Sequence, residues 1–139
     1  MYKKILIAAD GSPHSLRAAD QAMKIAVCDP ETLVEIVYVL DAAVVKADVL
    51  HHWNDLDRTD LRKKRVIAVE EKAALAGVKF ETKILHGEPG PAIVKYANEN
   101  QVDLIVLGSR GLNGLQEFVL GSVSHKVAKR ANCPVMIVK

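Results

Sequence analysis

No stretch of this chain approaches the ~20 consecutive apolar residues that a membrane-spanning helix requires. The opening MYKKILIAAD sets two lysines before an apolar run, but that run, Ile5 to Ala9, is too short for a secretory leader and has no cleavage site after it. The expectation is a cytoplasmic protein with no membrane partner. Cysteine is scarce as well: Cys28 and Cys133 are the only two, and neither belongs to a CxxC pair. That excludes a zinc ribbon and a thioredoxin-type redox site. Both cysteines read as reduced thiols packed as small hydrophobes. Aromatic residues make up 4% of the chain, too few to stack a row of nucleic-acid bases. Charge of one sign is not in excess either. Lysine and arginine number 19 against 17 aspartates and glutamates, for a formal net charge of +2. Electrostatics alone therefore gives no case for a nucleic-acid partner. There is no GxxxxGK[S/T] phosphate loop, no internal repeat and no linker-like tract.

What is present is a soluble, globular composition. Half of the 139 residues are hydrophobic, which suits one domain, residues 1–139, around one sizeable core. Short apolar runs alternate with longer amphipathic segments. Lys4–Ala9 is nearly all apolar, as a strand covered on both faces should be. Ser12 and Pro13 read as the cap and first position of a helix. Leu16, Ala19, Met23 and Ala26 then give it one apolar face, and Asp29-Pro30 closes it. Leu33–Leu40 is a second strand. In the stretch from Asp41 to Gly77, the second half reads as helix, with Val66, Val69, Ala73 and Ala76 on one face and Gly77 as its stop. Val78–Leu85 is strand three. Gly87–Gly90 reads as a turn, and Pro91 opens a helix with Ile93 and Ala97 inward. Asp103–Leu107 is strand four, Gly108–Leu120 is glycine-punctuated, Gly121-Ser122 starts a last helix, and Pro134–Val138 is strand five. Alternation of this kind predicts an open, Rossmann-like, five-stranded parallel sheet with helices on both faces. In such sheets ligands bind beyond the carboxyl ends of the strands, where the strand order reverses.

Two strand ends have the polarity and flexibility for that role: Ala8-Ala9-Asp10-Gly11-Ser12 after strand one, and Gly108-Ser109-Arg110-Gly111 after strand four. Gly108, Gly111, Gly114 and Gly121 fall within fourteen residues and lead into Ser122-Val123-Ser124 at a helix start. Glycines admit close approach of a ligand to the backbone. A helix N-terminus offers free N–H groups and the positive end of a dipole, which suit phosphate. Ser122 and Ser124 add hydroxyls and Arg110 adds charge.

With these residues in view, the chain resembles the universal stress protein family, in its ATP-binding branch. Gly108-Ser109-Arg110-Gly111, then nine residues, then Gly121-Ser122 looks like that family's G-x-x-G-(nine)-G-[S/T] motif. The opening KILIAADGSPHS, the tail ANCPVMIVK and Val39-Leu40-Asp41 are similar to the family too, so the resemblance covers essentially the whole chain. It implies sheet order 3-2-1-4-5. It implies that Ala8, Asp10 and Val39 line an adenosine pocket, with Val39 using backbone groups toward adenine and Asp10 near the ribose or a metal. It implies that Gly108, Ser109, Arg110, Gly111, Leu112 and Asn113 hold the ribose and phosphates. Gly121, Ser122, Val123 and Ser124 would hold the β- and γ-phosphates of ATP, bound with Mg. It further implies a homodimer pairing Pro134–Val138, and a regulatory role in stress response. Val44–Lys64 matches no functional motif.

Two other functions fit the same fold. A slow ATPase or phosphotransfer enzyme could pass phosphate to Ser122 or Ser124, but the chain has ADGSPHS where adenylating enzymes of this sheet order carry SGGxDS, and no base is paired with a nucleophile. A nucleotide-free interaction protein is the other, and the complete glycine motif speaks against it. The remaining polar features read blandly. Adjacent His51 and His52, before Trp53, point to different sides and do not make one metal site. His86 and His125 read as surface residues, although His125 falls near the phosphate end. The basic run Arg58–Arg65 has Asp55, Asp57 and Asp60 beside it, Asp60 four residues before Lys64, and reads as a solvated helix face.

Overall fold

The computed structural model describes residues 2–40, 55–110 and 121–139. Along the chain they form β1 (Lys4–Ala8), α1 (Pro13–Ala26), β2 (Leu33–Leu40), α2 (Asp55–Ala76), β3 (Lys79–His86), α3 (Pro89–Glu99), β4 (Leu104–Gly108), α4 (Ser122–Arg130) and β5 (Val135–Val138). The strands make one sheet in the order β3-β2-β1-β4-β5, with every neighbouring pair parallel. This is the order that the family resemblance implies. The order reverses between β1 and β4, which lie side by side with Ile7 opposite Val106. Their carboxyl ends, Ala8–Asp10 and Gly108–Arg110, therefore emerge next to each other.

Strand periodicity assigns the two faces. Ile5, Ile7, Val34, Ile36 and Val106 point to one side, against Ala18, Ala22 and Met23 of α1 and Val69 and Ala73 of α2. Leu6, Val37, Ile105 and Leu107 point to the other, against Ile93 and Ala97 of α3 and Val127 of α4. Burial on both sides explains why β1 and β4 read as unbroken apolar runs rather than alternating ones. β3 lies at the sheet edge, and its residues alternate largely between half-buried and exposed.

Three local features depart from the pattern in the sequence. First, α3 begins at Pro89, two residues before the proline expected to open it. Glu88 is the N-cap, and its carbonyl accepts Ala92 N–H at 2.9 Å. Pro89 and Pro91 both fit in this first turn because its N–H groups have no helical partner to lose. Second, β1 stops at Ala8, although Ala9 N–H still reaches the Val37 carbonyl at 2.8 Å. Third, Glu35 sits in the middle of β2 with only 3% of its surface exposed. Lys4 Nζ lies 3.6 Å from its Oε1 and donates to the Asn100 carbonyl at 2.9 Å. The Tyr96 hydroxyl of α3 lies against the same carboxylate. Burial and that neighbouring acceptor push the phenol far above its usual range. A buried carboxylate is tolerated only with such company.

Candidate functional site

The turn after β1 is built from short polar side chains bonding to nearby backbone. Asp10 Oδ1 accepts Ser12 N–H at 2.8 Å, and Gly11 takes φ 80°, a conformation that favours glycine. Ser12 Oγ then accepts Ser15 N–H at 3.1 Å and caps α1. The cap and turn hold Asp10 beside the carboxyl end of β4.

Gly108, at that end, is required by packing. A Cβ there would stand 2.7 Å from His14 Cβ and 2.8 Å from the His14 carbonyl carbon. The first turn of α1 thus lies directly on the β4 backbone. Next to it, Ser109 joins three elements. Its N–H donates to the Val138 carbonyl of β5 at 2.7 Å. Its carbonyl accepts Gly121 N–H at 2.8 Å and the Ser124 hydroxyl at 3.0 Å.

These bonds set the N-terminus of α4. The first helical bond is His125 N–H to the Gly121 carbonyl at 3.0 Å, so the N–H groups of Ser122, Val123 and Ser124 have no intrahelical partner. Gly121 is the N-cap, and among the described residues no side chain caps the helix. α1, by contrast, is capped by Ser12, and the prolines of α3 have no N–H to offer. The Ser124 hydroxyl, 2% exposed at residue level, is also within 3.1 Å of the Gly121 carbonyl. Its proton is engaged in the scaffold, which leaves its backbone N–H as the donor for an anion.

The two strand ends and α4 enclose a cleft of about 310 Å³. Ala8, Asp10 and Val39 line it, as do Gly108 and Arg110, and Gly121, Ser122, Val123 and Ser124. Ser109 is among the expected residues but acts from behind, through its peptide group. Gly111, Leu112 and Asn113 lie outside the described residues, as do His51, His52 and Trp53. His125 is exposed on α4 and does not line the cleft, and His86 is exposed at the end of β3. The described part of Arg58–Arg65 is helical, within α2. Val37, Tyr38, Pro89, Ile93 and Leu107 also line the cleft and were not singled out as site residues. Their apolar character marks them as core, and only the position of α3 makes them a wall. Lys126 Nζ, 2.7 Å from Glu88 Oε1, ties α4 to the start of α3 across that wall.

His14 is the other residue missed. Its ring Nε2 stands 3.5 Å from an Arg110 guanidinium nitrogen. Partial burial lowers its pKa from the ordinary 6.5, with Arg17 and then Arg110 acting in the same direction and Asp10 opposing. Asp10 is the one carboxylate among the described lining residues. No group of three or more metal-binding side chains occurs among the described residues.

A parallel α/β sheet with a cleft at its order reversal is the architecture of doubly wound α/β proteins, a class whose ligands bind at such clefts. The sequence signature of the Universal stress protein family matches residues 1–139, and the chain belongs to that family. It is 41% identical to a universal stress protein of Bacillus subtilis, across the full length of both chains. Among solved structures, the hypothetical protein MJ0577 superposes with a TM-score of 0.84 at 33% identity, covering 100% of this chain and 96% of that one. A universal stress protein solved in complex with cAMP superposes at 0.69 with 29% identity, covering 99% and 97%.

Proposed function

We propose that this protein binds adenine nucleotide, ATP in particular, and acts as a nucleotide-dependent regulator in the cytoplasmic stress response. The N-terminus of α4 carries this reading. Three N–H groups without an intrahelical partner, at the positive end of a helix dipole, belong to residues that line the same cleft as Asp10 and Val39. In this assignment adenine lies among the apolar wall residues and meets the backbone of Val39. Asp10 meets the ribose or a nucleotide-borne Mg, and Arg110 and residues 121–124 hold the phosphates. The cleft volume falls at the lower end of the ~300–1,000 Å³ typical of small-ligand sites. Magnesium arrives with the phosphates, since Asp10 alone cannot form a protein cage for it. The cAMP complex of the 29%-identical relative supports an adenine nucleotide as the ligand class.

The reading extends to a homodimer through Pro134–Val138. Among the described residues β5 is an edge strand with one side free of any sheet partner, and Met136 on it is 36% exposed. Binding is tested by denaturing purified protein, identifying any released nucleotide by chromatography, and titrating ATP into stripped protein. The expected result is adenylate in the supernatant or micromolar affinity on titration. Neither would mean that the fold serves as an interaction protein without nucleotide.

A further inference from the structure

His14 has no assigned role in the nucleotide site, yet its backbone and β-carbon pack beside it. Its Cβ packs where only a glycine at position 108 leaves room. Its ring Nε2 meets Arg110, and Arg110 lines the cleft. A guanidinium carries only donors, so the ring nitrogen facing it must supply a lone pair. The contact suits a neutral imidazole with its proton on Nδ1, and the lowered pKa favours that uncharged form. The charged groups around the ring come from three elements. Arg17 lies one turn along α1, with its Nε already donating to the Lys139 carbonyl at 2.8 Å. Arg110 follows β4, and Asp10 follows β1 with Oδ1 committed to Ser12 N–H. Among the described residues two cations face the ring against one carboxylate, and burial acts with them to favour the uncharged form.

We propose that His14 is the phosphate-responsive group of this site: a nucleoside di- or triphosphate seated on Arg110 and the α4 N-terminus is bound together with one proton, taken from solvent onto His14 Nε2. The inference rests on the nucleotide reading above. A phosphate chain brings several negative charges to a guanidinium 3.5 Å from the ring and reverses the sign of the local field. The protonated ring can no longer accept from Arg110. It becomes a second donor, and both cations face the phosphate oxygens instead of each other. No covalent bond changes and the proton is the only species transferred. Adenosine has the same base and sugar without the charge and leaves the ring neutral. The site thereby distinguishes phosphorylated from unphosphorylated adenosine by more than contact with the cradle, and its affinity for polyphosphates rises as pH falls.

The test follows the ring resonances of His14 by NMR in the unmodified protein, from about pH 5 to about pH 8, the range in which histidine titrates. Spectra are taken with no ligand, with saturating ADP and with adenosine. The expected midpoint lies below 6.5 without ligand. It rises with ADP by about one unit, equivalent to about tenfold tighter ADP binding by the protonated form, and stays in place with adenosine. The inference is overturned if ADP saturates the cleft, as seen from its amide resonances, while the His14 midpoint stays put or moves equally with adenosine. Absence of any ADP or ATP binding overturns the nucleotide reading along with it. A second readout is calorimetric ATP affinity in His14→Gln, which keeps the β-carbon against Gly108 but cannot charge. Its affinity should gain several-fold less than wild type as pH falls from about 8 to about 5, the difference approaching about tenfold only below the ligand-free midpoint of the ring. Equal gains in the two proteins would contradict the proposal.

Discussion

Gly108 shows how one residue can satisfy a motif for a reason the motif does not state. A glycine after β4 suggests backbone approach by a ligand, but the nearest demand comes from His14 and Ser15 of α1. Gly108→Ala should therefore lower stability by about 1–3 kcal/mol, because the atoms in the way are backbone and a β-carbon that cannot swing aside. Chemical denaturation measures this without any ligand, and an unchanged midpoint would show that α1 moves freely from β4. Glu35 makes the same point inside β2. Within the apolar run LVEIVYVL a lone glutamate gives no hint of its partners, since Lys4 and Tyr96 are distant in sequence. Lys4→Met should destabilise the fold by about 1–3 kcal/mol by leaving that buried carboxylate without its cation. His14 adds a dependence on pH. Its folded pKa is lowered, so the unfolded chain binds the proton more readily. Stability from this group is complete above the ordinary 6.5 and is lost as pH falls toward the folded value. Thermal melts of ligand-free protein should thus fall off more steeply below that pH in wild type than in His14→Gln.

At the scale of elements, the sequence was most readable where burial was complete. β1, β2 and β4 announced themselves because both faces are covered, and α1 because its cap and apolar stripe agree. The start of α3 was misplaced by two residues because Pro89 and Pro91 are equally acceptable in a first turn. The cleft wall it supplies, Pro89 and Ile93, was hidden for a related reason: an inward apolar residue looks alike whether it meets core or ligand. The start of α4 was legible from Gly121-Ser122 alone, whereas the commitment of the Ser124 hydroxyl to Ser109 was not. Gly121 sits at φ −60°, which any residue can adopt, so the backbone does not demand glycine there. Gly121→Val should leave the melting temperature nearly unchanged while weakening ATP binding by about tenfold or more. Unchanged affinity would move the phosphates away from α4.

For the whole molecule, sheet order is the property on which the rest depends. Placing β1 beside β4 brings together two polar strand ends nearly one hundred residues apart in the chain. Alternating βα units predicted a parallel sheet, but the particular order came from family resemblance, because several right-handed arrangements satisfy the same alternation. The same order leaves β5 at an edge and joins it to the cleft through Ser109, whose peptide bonds Val138 on one side and Gly121 on the other. If β5 forms the proposed homodimer, Met136→Asp should shift the protein toward monomer in sedimentation experiments, and a dimer that persists would locate the interface elsewhere. The measurement that bears most directly on the central claim is an ATP titration followed through the backbone amide resonances of the stripped protein. Saturable shifts are predicted to be largest at Ala8–Asp10, Val39, Gly108–Arg110 and Gly121–Ser124. Shifts confined to other surfaces, or none at millimolar ATP, would contradict a nucleotide site at the order reversal of this sheet.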